Sequence, residues 1–334
     1  MLERDRKAEH LKLALQDHVQ VRRSFFQDYY FEHRALPELD LDAVDTRVTF
    51  LDKPLEAPLL ISCMTGGTGE AEGVNQNLAY GAERTQIALG VGSQRKALED
   101  PSQTRTFQVR NAAPSVPLIG NLGAVQFNYG YGIDECEAAV EMVEADALAL
   151  HLNPLQEAIQ PEGDRDFSDL LPKIQAVAEQ LSVPVIAKEI GCGISGRVAQ
   201  ALAEHGVTII DTSGVGGTSW ARIEAQRADD VELGELFADW GIPTPTSIQQ
   251  VRAVHGTTVI GSGGVRNGID VAKAIALGAD LVGMASPFLN AAVQSEEAVV
   301  AKVQKTVREL KIAMFCIGVR SIEELKDARI YKRE

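Results

Sequence analysis

The chain predicts a single-domain (β/α)8 barrel of the TIM type, with an N-terminal extension and an insertion after the sixth strand. Three observations predict it. Eight short, near-continuously apolar runs recur along the 334 residues, as expected of strands buried on both faces of a parallel sheet. Segments with helical periodicity lie between them. Every run is followed by polar residues and glycines, at the end of a barrel strand where sites gather.

The eight runs are Pro58–Cys63, Gln86–Val91, Val116–Asn121, Ala147–Leu152, Val183–Lys188, Val207–Thr212, Thr257–Gly261 and Ala279–Met284. Glu135–Ala145 repeats apolar residues at Ala138, Ala139, Met142 and Val143, and Leu170–Leu181 does so at Ile174, Val177, Ala178 and Leu181. Ser195–Glu204 and Ile269–Leu277 behave alike. Eightfold strand–helix alternation favours a closed barrel over the alternative, a doubly wound open sheet. The stretch from Val207 to Thr257 is the longest between run starts and holds the insertion, placed over the catalytic face. Residues 1–57 are expected to form an extension or lid packed on the barrel, and residues 58–334 the barrel. Phe288 onward supplies the eighth helix and a closing helix near Ser321–Lys326.

Composition excludes several classes of function. Hydrophobic residues make up 45% and charged ones 24%, so wholesale disorder is excluded. Lys+Arg 32 against Asp+Glu 47 gives 32 − 47 = −15, which leaves no electrostatic footprint for nucleic acid. An anionic ligand must therefore meet local positive groups rather than the overall field. Cys63, Cys136, Cys192 and Cys316 form no CxxC pair and have no accompanying histidine cluster, which argues against zinc and against a disulfide framework. Cys63 and Cys192 read as packed thiols. The longest uncharged stretch, Asn111–Ile133, is broken by Asn, Gln and Pro and cannot span a membrane. The N-terminal MLERDRKAEH lacks the apolar core of a signal peptide, so a cytoplasmic protein is expected.

The strand ends carry the chemistry. Ser262-Gly263-Gly264-Val265-Arg266-Asn267-Gly268 lies between a strand and a helix. Its glycines let the backbone approach a phosphate, and the following helix is expected to present free N–H groups. The loops after strands seven and eight are the usual phosphate site of such barrels, so a phosphate-bearing cofactor is expected. Lys188 is a lone cation on an apolar strand and needs a partner, either Glu189 or an electron-rich cofactor ring. Arg4, Arg6, Lys7, His10 and Lys12 form either a solvated basic face or a lid that clamps an acidic ligand. Arg95, after Ser93 and Gln94, offers a further cation. The fourth strand end combines His151, Asn153, Gln156 and Glu157, with Glu157 the single obvious anion there. This is no carboxylate dyad, but one carboxylate suits Mg²⁺, often held by one or two protein oxygens plus ligand phosphates.

In order along nearly the whole chain stand Arg6-Lys7-Ala8-Glu9-His10, Met64-Thr65-Gly66-Gly67, Gly92-Ser93-Gln94-Arg95, His151-Leu152-Asn153 with Gln156-Glu157, Lys188-Glu189, Gly214-Val215-Gly216-Gly217-Thr218-Ser219-Trp220, and Ser262-Gly263-Gly264-Val265-Arg266. In these segments the chain resembles the type 2, flavin-dependent isopentenyl diphosphate isomerases, with no departure at a motif position. GVGGTSW and RKAEH are specific; SGGVR alone is shared by many phosphate-binding barrels. The resemblance implies FMN in the barrel mouth, a divalent metal, and interconversion of isopentenyl and dimethylallyl diphosphate. It assigns Arg6, Lys7, Ser93, Gln94, Arg95, His151, Asn153 and Gln156 to the substrate, and Gln156 to catalysis alongside reduced FMN. It assigns Glu157 to Mg²⁺. It assigns Met64, Thr65, Gly66, Ser93, Asn121, Lys188, Ser213, Thr218, Gly263, Gly264, Val265, Arg266, Ala285 and Ser286 to FMN. NAD(P)H is implied as reductant, and a homo-oligomer, tetramer or octamer, as the assembly. The alternative is an FMN-dependent 2-hydroxy-acid oxidase or dehydrogenase. Such enzymes place a histidine after the sixth strand, where this chain has Ser213-Gly214-Val215-Gly216-Gly217.

Overall fold

A computed structural model describes residues 6–21 and 23–333, with the side chain of Arg6 outside the description. Eight parallel strands close a barrel. They are β1 (Leu59–Ile61), β2 (Ala88–Gly90), β3 (Leu118–Gly123), β4 (Ala147–Leu152), β5 (Val185–Glu189), β6 (Ile209–Asp211), β7 (Thr258–Ser262) and β8 (Leu281–Met284). Each coincides with one of the eight apolar runs, trimmed or shifted by a few residues. Neighbours in sequence are neighbours in space, and β8 closes on β1 through Val282↔Leu59. The four helical patterns appear as Ile133–Val143, Leu170–Gln180, Gly196–Glu204 and Gly268–Ala276.

Burial explains the pattern. Leu60, Ala88, Ile119, Ala147, Ala149, Ile186, Ile260 and Leu281 form one apolar cluster of strand residues. Phe50 and Leu55 belong to the same cluster. They come from the antiparallel pair Val48–Phe50 and Lys53–Leu55, which precedes β1 and plugs the N-terminal end. Lys53 ties this plug to the start of β4, its Nζ 2.8 Å from an Asp146 carboxylate oxygen. A larger cluster lies between the strands and the helices, and it includes Leu11, Phe26, Tyr29 and Val44 of the N-terminal segment. Both faces of the strands are thus dry, which is why they read as continuous rather than alternating apolar runs.

The N-terminal helix Arg6–Ala14 reaches the opposite, C-terminal end of the barrel. The insertion contributes helices Trp220–Arg227 and Val231–Leu236 before the seventh-strand unit begins. After β8 the chain forms Ser286–Ala292, the long helix Glu296–Ile317 and a short closing helix Ile322–Lys326. Near the C-terminus Ile330–Lys332 pairs antiparallel with Tyr29–Phe31, with Tyr30 and Tyr331 stacked 5.4 Å apart. Among the described residues no helix is long and apolar enough to cross a membrane.

Gly268, the last residue of the seventh-strand loop motif, has a packing role. A Cβ there would lie 2.4 Å from Leu310 N and from Thr306 O of the long helix. Backbone meets backbone at this crossing, and neither side can yield cheaply. Overpacking of this kind costs about 1–3 kcal/mol. Gly268→Ala should therefore lower the melting temperature by about 5 °C in a thermal scan; an unchanged melting temperature would show that the two helices separate freely.

Candidate active site

A cavity of about 650 Å³ opens at the C-terminal ends of the strands, under the N-terminal helix. Its size is typical of a cofactor or small-molecule site. Its wall is assembled from all eight strand ends or the loops that follow them, with Lys7, His10, Leu11 and Ala14 contributed by the helix. The sequence-predicted residues Lys7, Met64, Thr65, Ser93, Arg95, Asn121, His151, Asn153, Gln156, Glu157, Lys188, Ser213, Thr218, Gly263, Gly264, Val265, Arg266, Ala285 and Ser286 all line it. Arg4 and the Arg6 side chain lie outside the described residues.

Two predicted residues do not reach the cavity. The Gln94 side chain is fully buried; its amide donates to Ala139 O at 2.7 Å and its oxygen accepts from Asn121 N at 2.9 Å. It stitches β3 to the helix behind it, which corrects the expectation that it faces substrate. Gly66 is not in the cavity wall either. Its φ is +153°, and a Cβ would sit 1.9 Å from the Phe107 ring. Only glycine fits that close approach, so its role is steric.

The seventh-strand loop differs in detail from the sequence expectation. Gly263 and Gly264 have φ of +108° and +69°. A Cβ on Gly264 would collide with Gly216, and one on Gly263 with Gly214. The two glycine-rich loops therefore lie backbone against backbone. The first turn of the helix behind them is already satisfied: Asn267 Oδ1 accepts from Ile269 N and Asp270 N, Glu309 accepts from Gly268 N, and Asp270 accepts from Arg266 N. Those N–H groups are not free, contrary to the expectation. Arg266 spends its guanidinium on Val21 O at 2.9 Å and Gly216 O at 3.1 Å, tying the N-terminal segment to both loops. The cavity is bounded there instead by the glycine backbone and by Ala285 and Ser286, where the next helix starts without a side-chain cap.

The loops after the second and fourth strands, with the N-terminal helix, contribute cations and amides to the wall. Lys7 Nζ donates to Ser93 O at 3.1 Å. Arg95 is held by Glu99 at 2.7 Å and Asp164 at 2.6 Å. Asn153 donates to Gln156 Oε1 at 3.0 Å and Glu157 Oε1 at 2.8 Å. Gln156 in turn donates to Glu224 Oε1 at 2.7 Å, which fixes the orientation of its amide. Glu157 Oε2 accepts from Asp164 N at 2.8 Å. Among the described residues Asn153 Oδ1 and Ser62 Oγ are buried without a partner, the behaviour of polar atoms that await a ligand.

The floor is charged. Lys188 Nζ lies 2.9 Å from Asp211 Oδ2, so its carboxylate partner is Asp211 and not Glu189, the neighbour expected from sequence. Glu189 turns to accept from the N–H groups of Ile190, Gly191 and Cys192. Burial nonetheless pushes its carboxyl up to about 7. Burial also raises the Cys63 and Cys192 thiols, the latter to about 12, so both are packed thiols rather than nucleophiles. The four cysteines are free.

Sequence reasoning passed over the residues that hold the N-terminal helix over the cavity. Glu224 of the insertion is fully buried, with His10 Nε2 at 2.9 Å and Arg227 at 2.7 Å. Arg227 also reaches Glu9 at 3.1 Å and Glu162 at 2.6 Å. His10 meets Trp220 edge to face, 5.2 Å between ring centres. An i,i+3 Glu–Arg pair reads from sequence as a solvated helix face. Only the N-terminal helix, packed over it, makes the pair internal. Among the described residues no group of three His, Cys, Asp or Glu could hold a metal by itself.

With this geometry in view, comparison with known proteins is decisive. A family model described as FMN-dependent dehydrogenase matches residues 139–332. An isopentenyl-diphosphate delta-isomerase from a Nostoc species is 50% identical over 335 residues, covering 98% of this chain and 95% of that protein. One from Paracoccus zeaxanthinifaciens is 51% identical over 333 residues, covering 96% and 95%. The chain belongs to the type 2, FMN-dependent isopentenyl-diphosphate delta-isomerase family. The fold extends further than this isomerase family. A lactate oxidase from Pediococcus acidilactici superposes with a TM-score of 0.68 at 17% identity, covering 92% of this chain and 84% of that one. A flavocytochrome b2 gives 0.69 at 17% identity, covering 97% and 81%. These neighbours share the barrel of the isomerase family.

His151 shows how the isomerase-family cavity controls charge. Its Nδ1 pairs with Asn121 Oδ1 at 2.9 Å, so Nδ1 carries the proton and Nε2 is left as an acceptor. Burial first, then the nearby positive Lys7 and Lys188, push the imidazole down to about 3. The sign follows. Between pH 6.5 and about 3 the unfolded chain takes up a proton that the folded chain refuses, so folding stability is lost as pH falls. Urea unfolding at pH 7 and pH 5 should show wild type losing about 2 kcal/mol more than His151→Asn, from ~1.4 kcal/mol per pH unit. Equal acid sensitivity of the two would mean that the imidazole is protonated in the fold.

Proposed function

We propose that this protein interconverts isopentenyl and dimethylallyl diphosphate, with FMN and the substrate sharing the one cavity. The observation that carries the reading is that one cavity is lined by two different sets of anion-suited groups. The glycine backbone of the seventh-strand loop, with Ala285 and Ser286, suits the flavin phosphate. Lys7 and Arg95 suit a diphosphate, and Glu157 suits Mg²⁺ bridging to it. Neutral His151 and the amides of Asn153 and Gln156 share the wall of the same cavity. Lys188 meets the flavin ring from the floor.

The reaction adds a proton at one end of an allylic frame and removes one from the other. Reduced flavin supplies this proton exchange when bound. The protein side is positional. Gln156 is an amide and a poor acid or base; clamped between Asn153 and Glu224, it orients the reacting carbons. His10, Leu11 and Trp220 roof the cavity and exclude water. Arg95 exchanges part of its bonding to Asp164 and Glu99 for phosphate oxygen. NAD(P)H is the proposed reductant, a cytoplasmic location and a tetramer or octamer the proposed context. The hydroxy-acid oxidase reading lacks its base, since no histidine stands in Ser213–Gly217.

The test is a redox switch without net redox change. Oxidised holoprotein should bind the diphosphate without turning it over, and NAD(P)H in catalytic amount should start isomerisation. Dimethylallyl product formed in D₂O should carry deuterium. EDTA should stop the reaction and Mg²⁺ restore it. Consumption of one NAD(P)H per product, or oxidation of a hydroxy acid without isomerisation, would refute the assignment.

A further inference from the structure

We propose that Asp211 is a positioning residue: it anchors the Lys188 ammonium at the cavity floor and thereby sets how strongly the protein holds reduced over oxidised flavin. This rests on the flavin reading above.

The geometry is specific. Lys188 and Asp211 are register partners on β5 and β6, so their side chains leave the barrel side by side. Both side chains are almost wholly buried, at 6% and 3% exposure, with Nζ 2.9 Å from Oδ2. The second carboxylate oxygen, Oδ1, accepts the Ser262 hydroxyl from β7. Ser262 is itself fixed, its Oγ accepting from Ser213 N at 3.1 Å. Three consecutive strands thus hold one ammonium in one place. Lys188 lines the cavity and Asp211 lies behind it. An ammonium has three donors, and the bond to Asp211 directs the remaining N–H groups away from the carboxylate.

Stability does not explain the pair. A buried ion pair is often no better than well-packed apolar residues of similar volume, and the layer beneath it is apolar already. What the pair provides is a cation that stays charged without water. The other ionisable groups around Lys188 cannot replace Asp211. Cys63 on β1 is a thiol raised by burial, and His151 on β4 is neutral. Glu189, next in sequence, is occupied by three backbone N–H groups of its own loop. Without Asp211 the ammonium would be buried without a counter-charge, and it would shed its proton or swing away. Either outcome removes positive charge from the ring that gains electron density on reduction.

The experiment is a double-mutant cycle on intact protein, read by FMN dissociation constant and midpoint potential. Asp211→Asn should weaken binding of reduced FMN about ten-fold relative to oxidised FMN, a fall of ~30 mV in midpoint potential. Lys188→Met should do the same or more. In the Lys188→Met background, Asp211→Asn should change neither quantity by more than about two-fold, because the residue acts through the lysine. Ser262→Ala should shift the potential in the same direction by less, and its cycle with Lys188→Met carries the test should Asp211→Asn fail to fold. An Asp211→Asn effect that persists undiminished without the lysine, or no effect at all, overturns the role. A wild-type chain that binds no FMN overturns the flavin reading and this role with it; tight wild-type binding without coupling overturns the role alone.

Discussion

On the proposed function, a chain with a net charge of −15 holds a flavin phosphate and a diphosphate in one cavity of about 650 Å³. Its overall field works against both. Every positive element at the barrel mouth therefore has to be local, and held against the acidic residues that would otherwise neutralise it. The N-terminal helix brings Lys7 to the cavity, and the second strand loop brings Arg95. The fifth strand brings Lys188, and the glycine loop brings backbone instead of side chains. Each cation is already bonded: Lys7 to Ser93 O, Arg95 to Asp164 and Glu99, Lys188 to Asp211. These partners position charge without water, and a ligand phosphate need only share them.

The roof of the cavity obeys the same constraint in reverse. Glu224 is fully buried and anionic, with its carboxyl held below the usual range by His10, Gln156 and Arg227 despite burial. One carboxylate thus fixes the Gln156 amide, the roof residue His10 and the insertion helix together. Arg227 extends the network to Glu9 and Glu162. Breaking one partner of such a network leaves a buried charge uncompensated, so the roof and the Gln156 orientation stand or fall together.

The barrel was legible because its strands are dry on both faces, and continuous apolar runs survive in sequence without any alignment. The strand ends were legible for the same reason: polar residues stand out after an apolar run, and most of those expected at the site do line the cavity. What escaped is what depends on closure. Asp211 stands next to last in the Val207–Thr212 run, and nothing in the sequence marks its partner until β5 lies beside it. Glu224 and Arg227 read as a surface pair until the N-terminal helix covers them. Gln94 sits within a motif, yet its amide is consumed by Ala139 O and Asn121 N, and no spacing reveals that. Asn267 and Glu309 cap a helix start that the sequence alone presents as open.

The proposed function has the two anions held by different residues of one cavity. A crystal structure of the chain with reduced FMN and the five-carbon diphosphate tests it directly. The account predicts the flavin phosphate against Gly263, Gly264 and Ser286, the diphosphate against Lys7 and Arg95, and the allylic carbons beside Gln156. A diphosphate on the glycine loop, or one bound outside the N-terminal helix, would contradict it.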